Sequence, residues 1–432
     1  MNWDKMKDEA LKYLQDYLKI DTSNPPGNEI EGALFLKGIL DKEDISTRIY
    51  ETSPRRGNLI AKIEGNKEEK PLYLLNHIDV VPVDRGKWEF EPFGGEIRDD
   101  YICGRGTQDM KSMAVIQLVV FILLKRENLS LNRDVYFTAT ADEEKESILG
   151  IVQLIEDIPE IFTPGYVITE GGIGTRGVFS EDDRIIWGIG VGEKKPLFLH
   201  LEVKGEAGHG SQPHKNNPNE LLIKALNRVL EYKQNEAVIS LVEETIRKLG
   251  KLPDNKFVNS MTKNTVAVTT LKAGVGEPPM ENVIPSVSTA SLDCRLLPDI
   301  NPYEFIENLG KIIDDDRVKI KPIKIPEDVP VSSYDTELFQ IIGKAVSKKY
   351  PSSVVVPILT PYATDSRYLR NKGFICYGFT PTVSTMKDLS LMHGDNEKIA
   401  VEEFYSGIEL LYDIILEFCQ KSKREHEFLN LK

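Results

Sequence analysis

Apolar residues recur at helical spacing from the start of the chain: Trp3, Met6, Ala10, Leu11, Tyr13, Leu14, Tyr17 and Leu18 share one side of a helix predicted over residues 3–19. The pattern then shortens to runs that read as strands at 59–63 and 72–81. The second run is nearly continuous in apolar residues, as a strand covered on both faces requires. A helix at 110–126, a strand at 134–141 and another at 166–169 continue the alternation. Strands alternating with helices predict an α/β fold whose sheet is mostly parallel.

The rhythm changes near residue 193. From there the pattern predicts a strand at 197–204, helices at 218–232 and 236–249, strands at 265–273 and 286–296, a helix at 302–314 and a strand at 317–324. Without the extra helix this is β-α-β-β-α-β, the ferredoxin-like arrangement. Pro326 and Pro330 punctuate a return to α/β material, with helices at 335–349 and 399–419 and strands at 353–359 and 373–379. The economical organisation is one α/β domain, residues 1–193 and 326–432, interrupted by a smaller domain at 194–325.

Composition narrows the partners. With 54 Lys and Arg against 68 Asp and Glu, the net charge is −14, and no basic block interrupts the acidic balance. That argues against a nucleic-acid or anionic-membrane partner. The longest apolar run, 113–124, falls short of the roughly 20 residues a bilayer span needs. Residues 1–9 lack the apolar core of a signal peptide. Cys103, Cys294, Cys376 and Cys419 form no C-x-x-C pair, which suits a reducing, cytoplasmic location and leaves any metal site to His and carboxylate.

Several strand ends carry chemistry. His77 and Asp79 close the most apolar strand, where i and i+2 face the same way, so Asp79 can reach the imidazole; a satisfied polar pair explains them as well. Asp109, in Gly104-Arg105-Gly106-Thr107-Gln108-Asp109-Met110-Lys111, precedes a helix and reads equally as an N-cap. That stretch lacks the Gly-Lys-Ser/Thr ending of a phosphate loop. Asp142-Glu143-Glu144 follows a strand; it reads as a solvated helix start or as a ligand beside a general base. Glu170 also follows a strand, and residues 172–177 match G-x-G-x-x-G. A dinucleotide site is rejected because turn and strand, not a helix, follow those glycines. His209 and His393 lie in glycine-flanked loops, and no G-x-S-x-G nucleophile elbow exists.

These pieces, in this order, resemble the M20 family of metallopeptidases and amidohydrolases, which includes aminoacylases, carboxypeptidases of the yeast S and glutamate types, dipeptidases and succinyl-diaminopimelate desuccinylases. The matching motifs run from His77 to Glu397. The resemblance implies a mostly parallel-sheet catalytic domain with an inserted ferredoxin-like lid and dimerisation domain. It also implies two divalent ions, zinc expected and cobalt or manganese also suited to the donors. His77 and Glu170 would hold one ion, Glu144 and His393 the other, and Asp109 would bridge. Asp79 would orient His77, Glu143 would be the general base on metal-activated water, and His209 would contact the reacting carbonyl across a homodimer interface. Asn282 and Arg295 match substrate-contacting lid positions, and Arg367, in Ala363-Thr364-Asp365-Ser366-Arg367, the carboxylate-binding position of the aminoacylase and carboxypeptidase S branches.

The implied activity is hydrolysis of an amide next to a free carboxylate, in a small peptide or an N-acyl amino acid. A desuccinylase or dipeptidase is the alternative on the same scaffold, and a non-catalytic binding protein or metal buffer the remote one. Asn76, Ser112 and Lys145–Gly150 depart from the family's glycine-rich pattern, next to ligands that are all present.

Overall fold

The strand Leu72–His77 is buried at every position and lies inside an eight-stranded sheet. In spatial order the strands are Thr47–Ser53, Arg56–Ile63, Val135–Thr140, Leu72–His77, Tyr166–Arg176, Ile375–Thr385, Ile186–Glu193 and Val354–Thr360. Leu72–His77 pairs in parallel with both neighbours, and Tyr166–Arg176 pairs in parallel with Ile375–Thr385. Thr47–Ser53 and Arg56–Ile63 add an antiparallel edge, so the α/β sheet is mixed with a parallel centre. The computed structural model describes residues 3–182, 184–232 and 240–420.

The apolar run at 113–124 forms the middle of the helix Lys111–Arg126, buried from Lys111 to Leu124. A helix apolar all round needs cover on every side. It receives that cover from the sheet and from the helices Trp3–Leu18 and Val401–Cys419. Among the described residues no helix is long and apolar enough to cross a membrane. Within the layer, buried Gln117 donates to the carbonyls of Leu75 (3.2 Å) and Ile168 (3.1 Å) and accepts from Asn76 Nδ2 at 2.9 Å. Asn76, one of the departures from the family pattern, thus joins the strand before His77 to this helix.

The second sheet is antiparallel, in the order Thr265–Lys272, Val287–Leu296, Lys195–Lys204, Val318–Lys324. Lys195–Lys204 alternates buried and more exposed positions, as a strand covered on one face should. The cover is the helix pair Pro218–Glu231 and Pro302–Ile313. The side chains of Asn217 and Asn301 cap these helices by accepting first-turn backbone N–H groups, and the proline after each has no N–H to leave unpaired.

The predicted helix at 236–249 begins outside the described residues and is present as Ser240–Leu249. Its Leu241 and Val242 join the core of the large sheet, not that of the small one. Thr245 Oγ1 donates to the carbonyl of Pro357 at 2.7 Å. A following helix, Lys256–Thr262, packs Val258 and Met261 against Phe179, Val356 and Ile358. This helical excursion therefore returns to the edge of the large sheet before the chain re-enters the small one.

Candidate metal centre

Four carboxylates and two imidazoles converge where the parallel strands end. His77 is the last residue of its strand. Its Nδ1 lies 2.9 Å from the carbonyl of Asp79 and 3.5 Å from Asp79 Oδ1. His77 Nε2 faces Asp109 Oδ1, 2.9 Å away, and Glu170 Oε1, 3.7 Å away, so both acids lie on the nitrogen that a metal would take. The partner that fixes the ring is thus chiefly the Asp79 backbone, whereas sequence spacing pointed to its carboxylate.

The Asp79 carboxylate serves the next loop. Its oxygens accept the backbone N–H groups of Glu143 and Glu144, each at 3.2 Å, and Asn24 Nδ2 at 2.8 Å. No helix begins at Asp142: the residue is buried with φ +69° and pairs with Arg56 Nη2 at 2.8 Å. The turn that follows presents Glu143 and Glu144 side by side. Glu170 is reached differently, inside the strand Tyr166–Arg176, whose register with Ile375–Thr385 shifts next to it. Gly171 there has φ +110°, and a Cβ on Gly172 would stand 2.3 Å from the carbonyls of Gly188 and Gly378. These glycines serve a close strand crossing, consistent with the absence of a dinucleotide fold.

Asp109 does not cap its helix; Met110 occupies that position. The Asp109 carboxylate divides itself between the histidines, Oδ1 on His77 and Oδ2 on His393 Nε2 at 2.8 Å. His393 Nε2 also lies 3.3 Å from Glu144 Oε2, and its backbone is in the left-handed region at φ +60°. The loop carrying Asp109 is held by Glu397, which is fully buried and accepts from the N–H groups of Gly106, Gln108 and Asp109 and from Arg105 Nη1 at 2.5 Å. Arg105 Nη2 in turn donates to the carbonyl of Gly394 at 2.9 Å. One buried ion pair thereby joins the Asp109 and His393 loops. Sequence reading missed both members, although each stood inside a motif it had singled out.

The electrostatics match a cation site. Burial pushes Glu143, Glu144 and Glu170 above the ordinary carboxylate range, and neighbouring acids push them further. Burial would also raise Asp109, but its two histidines outweigh that and hold it low. Hydrogen bonds to Asp109 and Glu144 raise His393 to about 10. Ligand atoms of His77, Asp109 and Glu144 lie within 4.8 Å of one another, and so do those of His77, Glu143 and Glu170. Glu144 Oε1 is buried with no hydrogen-bond partner. A buried set rich in carboxylates, with one donor oxygen unsatisfied, fits divalent ions.

The remaining predicted residues stand apart. Arg367, on the helix Ser366–Arg370, lies over the Tyr368 ring at 4.6 Å and donates to its hydroxyl. Tyr368 in turn donates to the carbonyl of Glu146 at 2.8 Å. His209 is exposed, its Nδ1 2.7 Å from Ser211 Oγ, and pairs across a two-residue ladder next to Asn282. Arg295 is at the other end of Val287–Leu296, bonded to Asp293 at 2.8 and 3.0 Å. Among the described residues, none of His209, Asn282 and Arg295 hydrogen-bonds to the clustered acids and histidines within the single chain.

Residues 73–417 match the profile of peptidase family M20/M25/M40. The chain is similar to the probable carboxypeptidase S-like 2 of Dictyostelium discoideum, at 28% identity over 80% of this chain and 71% of that one. It is similar to aminoacylase-1 of the same organism, at 27% identity over 95% of this chain and 97% of that one. Its fold is like that of the M20 family metallo-carboxypeptidase Sso-CP2 from Sulfolobus solfataricus, with a TM-score of 0.72 at 23% identity, covering 94% of this chain and 98% of that one. Sequence and fold agree: the chain belongs to peptidase family M20/M25/M40 and is a metallohydrolase of carbon–nitrogen, peptide-type bonds.

Proposed function

We propose that this protein is a two-metal amidohydrolase that cleaves the amide next to a free carboxylate, in a peptide's last bond or an N-acyl amino acid. The carrying observation is the division of Asp109 between His77 and His393, with Glu144 and Glu170 beside them. In this reading Asp109 would be shared by two ions, His77 and Glu170 would hold one, and His393 and Glu144 the other. Zinc suits the donors best, with cobalt and manganese as substitutes. When bound, the ions supply Lewis-acid polarisation of the amide carbonyl and of a water molecule.

Everything else falls to the chain. Glu143 takes the proton of the attacking water and delivers it to the departing nitrogen; burial and Glu170 raise its pKa towards what a neutral-pH proton shuttle needs. Asp79 holds Glu143 in place through its backbone N–H. Arg367 pairs with the substrate carboxylate, for which a planar guanidinium gives a bidentate match.

His209 donates to the developing oxyanion, a role that requires hydrogen-bonding distance. Its exposure within one chain supports delivery from the small domain, residues 194–325, acting as a lid in a two-fold homodimer. Asn282, next to Val283 that pairs with His209, then reaches substrate with it, and Arg295 contributes from the four-stranded sheet of the same domain. The four buried free cysteines are in keeping with a reducing cytoplasm.

A hydrolysis screen tests the proposal: N-acyl amino acids, N-blocked dipeptides and the carboxamide of each, with metal-stripped and zinc-loaded protein. Zinc-dependent cleavage confined to the free acids is expected. Cleavage of amides and acids alike, or cleavage by the stripped protein, would overturn it.

A further inference from the structure

Arg367 sits on a helix of five residues, Ser366–Arg370, which is too short to hold its own shape. Its geometry is set from outside, largely by one carboxylate. Glu193 Oε1 accepts from Arg370 Nη1 and from Thr364 Oγ1, each at 2.7 Å, and Oε2 accepts the Thr364 N–H at 2.9 Å. Arg370 is the last residue of the helix, and the Thr364 carbonyl accepts the N–H of Arg367 itself at 3.3 Å. Glu193 therefore grips the turn that carries Arg367 from both ends.

That grip is anchored where the chain passes between the two sheets. Glu193 ends the strand Ile186–Glu193 of the large sheet, and Lys195 begins the strand Lys195–Lys204 of the small one. Lys194, the single residue between them, is buried; its N–H donates to the carbonyl of Thr360 at 3.0 Å, and its Nζ to the carbonyls of Ser260 at 2.8 Å and Lys263 at 2.7 Å. The returning chain joins the same node. Ser332 N–H donates to the carbonyl of Val191 at 2.8 Å, and Ser332 Oγ accepts Arg370 Nε at 3.2 Å and the N–H of Cys376 at 3.0 Å. The side chains of Glu193 and Arg370 are 3% and 2% exposed, and none of these bonds goes to a proposed metal ligand.

We infer that Glu193 and Arg370 are positioning residues, which set Arg367 for the substrate carboxylate from the crossing between the sheets. This rests on the amidohydrolase reading above and deepens its account of carboxylate recognition. A bidentate match needs the guanidinium plane in one orientation, and a short helix tied at both ends to a buried charge supplies one.

The test uses zinc-loaded full-length protein: wild type, Arg367→Ala, Glu193→Gln, the double variant of these two, and Thr364→Val, each checked for fold by circular dichroism and for zinc content. In one arm, kcat/KM is measured for the N-acyl amino acid that wild type cleaves best and for its carboxamide. Glu193→Gln should keep its zinc and lower kcat/KM for the acid by about ten- to a hundredfold, the order expected of an ångström-scale misplacement, with the carboxamide within about twofold of wild type. In the other arm, calorimetry measures binding of the product amino acid and of its amide, and the same loss of preference for the acid is expected. In the double variant Glu193→Gln should cost nothing beyond Arg367→Ala, since its effect runs through Arg367. Thr364→Val, which removes one hydrogen bond and no charge, should shift the preference the same way by a smaller factor, and it carries the test should Glu193→Gln not fold.

A wild type without preference for the acid would sink the carboxylate reading, and this inference with it. With that preference present and lost in Arg367→Ala, the inference stands or falls by itself. An unchanged preference in both Glu193→Gln and Thr364→Val, equal losses on acid and amide, loss of zinc, or additive losses in the double variant would each overturn it.

Discussion

Asp79 Oδ1 accepts the backbone N–H of Glu143 at 3.2 Å, so a carboxylate at the end of one strand fixes the loop that follows its neighbour. Oδ2 holds Glu144 N in the same way and also receives Asn24 Nδ2. An amide at position 79 would turn an N–H₂ group towards a backbone donor on one side. Asp79→Asn should therefore displace Glu143 without removing any proposed ligand. Outer-shell changes of this kind lower metal affinity or activity by about 10–100-fold. Steady-state kinetics together with a zinc titration checks this; an unaltered kcat would remove Asp79 from the mechanism.

Arg367 is proposed to read the substrate carboxylate. Wild-type protein should then prefer free acids to the matching carboxamides, and Arg367→Ala should narrow the gap, mostly through kcat/KM for the acid. A preference for the acid that survives the substitution would assign recognition elsewhere.

The Arg105–Glu397 pair is buried on both sides, at 2% and 0% side-chain exposure. Removing one partner leaves the other charge unpaired, which typically costs about 3–5 kcal/mol. Urea denaturation of metal-free Glu397→Gln should show a loss near that size, with weaker zinc binding because the Asp109 loop loses its acceptor. A loss below about 1 kcal/mol, with zinc affinity intact, would show that the loops are held by other means.

Protonation couples to metal loading. Asp109 and Glu144 raise His393 to about 10, and His77 is raised as well, its acidic partners outweighing burial. His393 is therefore an imidazolium at neutral pH in the metal-free chain, and ligation requires it to give up a proton. The stabilisation from the raised histidines is complete below their unfolded pKa of about 6.5 and is lost as pH rises, for His393 through about 10. Asp109, held low, contributes above its unfolded value of about 3.9 and loses its share as pH falls. Calorimetric zinc titrations at pH 7 in buffers of different ionisation enthalpy should report a net release of protons on loading, and affinity should climb with pH. A heat independent of buffer would contradict these protonation states.

Legibility followed locality. The His77–Asp79 spacing, the acids after successive strands and the β-α-β-β-α-β run are all short-range patterns, and each points to a strand end or a sheet. The strand alternation pointed to the α/β class, yet the helix Glu29–Asp41 and strand Thr47–Ser53 went unread: Ala33 to Leu36 run together in the helix and blur its period, and the strand has only Ile49 and Tyr50 as apolar positions. Long-range pairings were invisible: Arg105 and Glu397 lie 292 residues apart, and Arg56 meets Asp142 across 86. Composition also does not tell Leu241, Val242 and Val258 which of two sheets to join. Asp109 shows the limit most clearly. Its sequence neighbourhood reads as a helix cap, and only the fold brings two histidines to its two oxygens.

The account turns on Glu143 handling protons while its neighbours handle ions, although its carboxylate lies within ligand distance of His77 and Glu170. Metal analysis by mass spectrometry, run beside an N-acyl amino acid hydrolysis assay on wild type, Glu143→Gln and Glu144→Ala, addresses this directly. The account predicts two zinc ions per chain in wild type, two zinc ions with turnover abolished in Glu143→Gln, and loss of zinc and activity together in Glu144→Ala. A Glu143→Gln protein that lacks one zinc ion, or that still turns over, would contradict it.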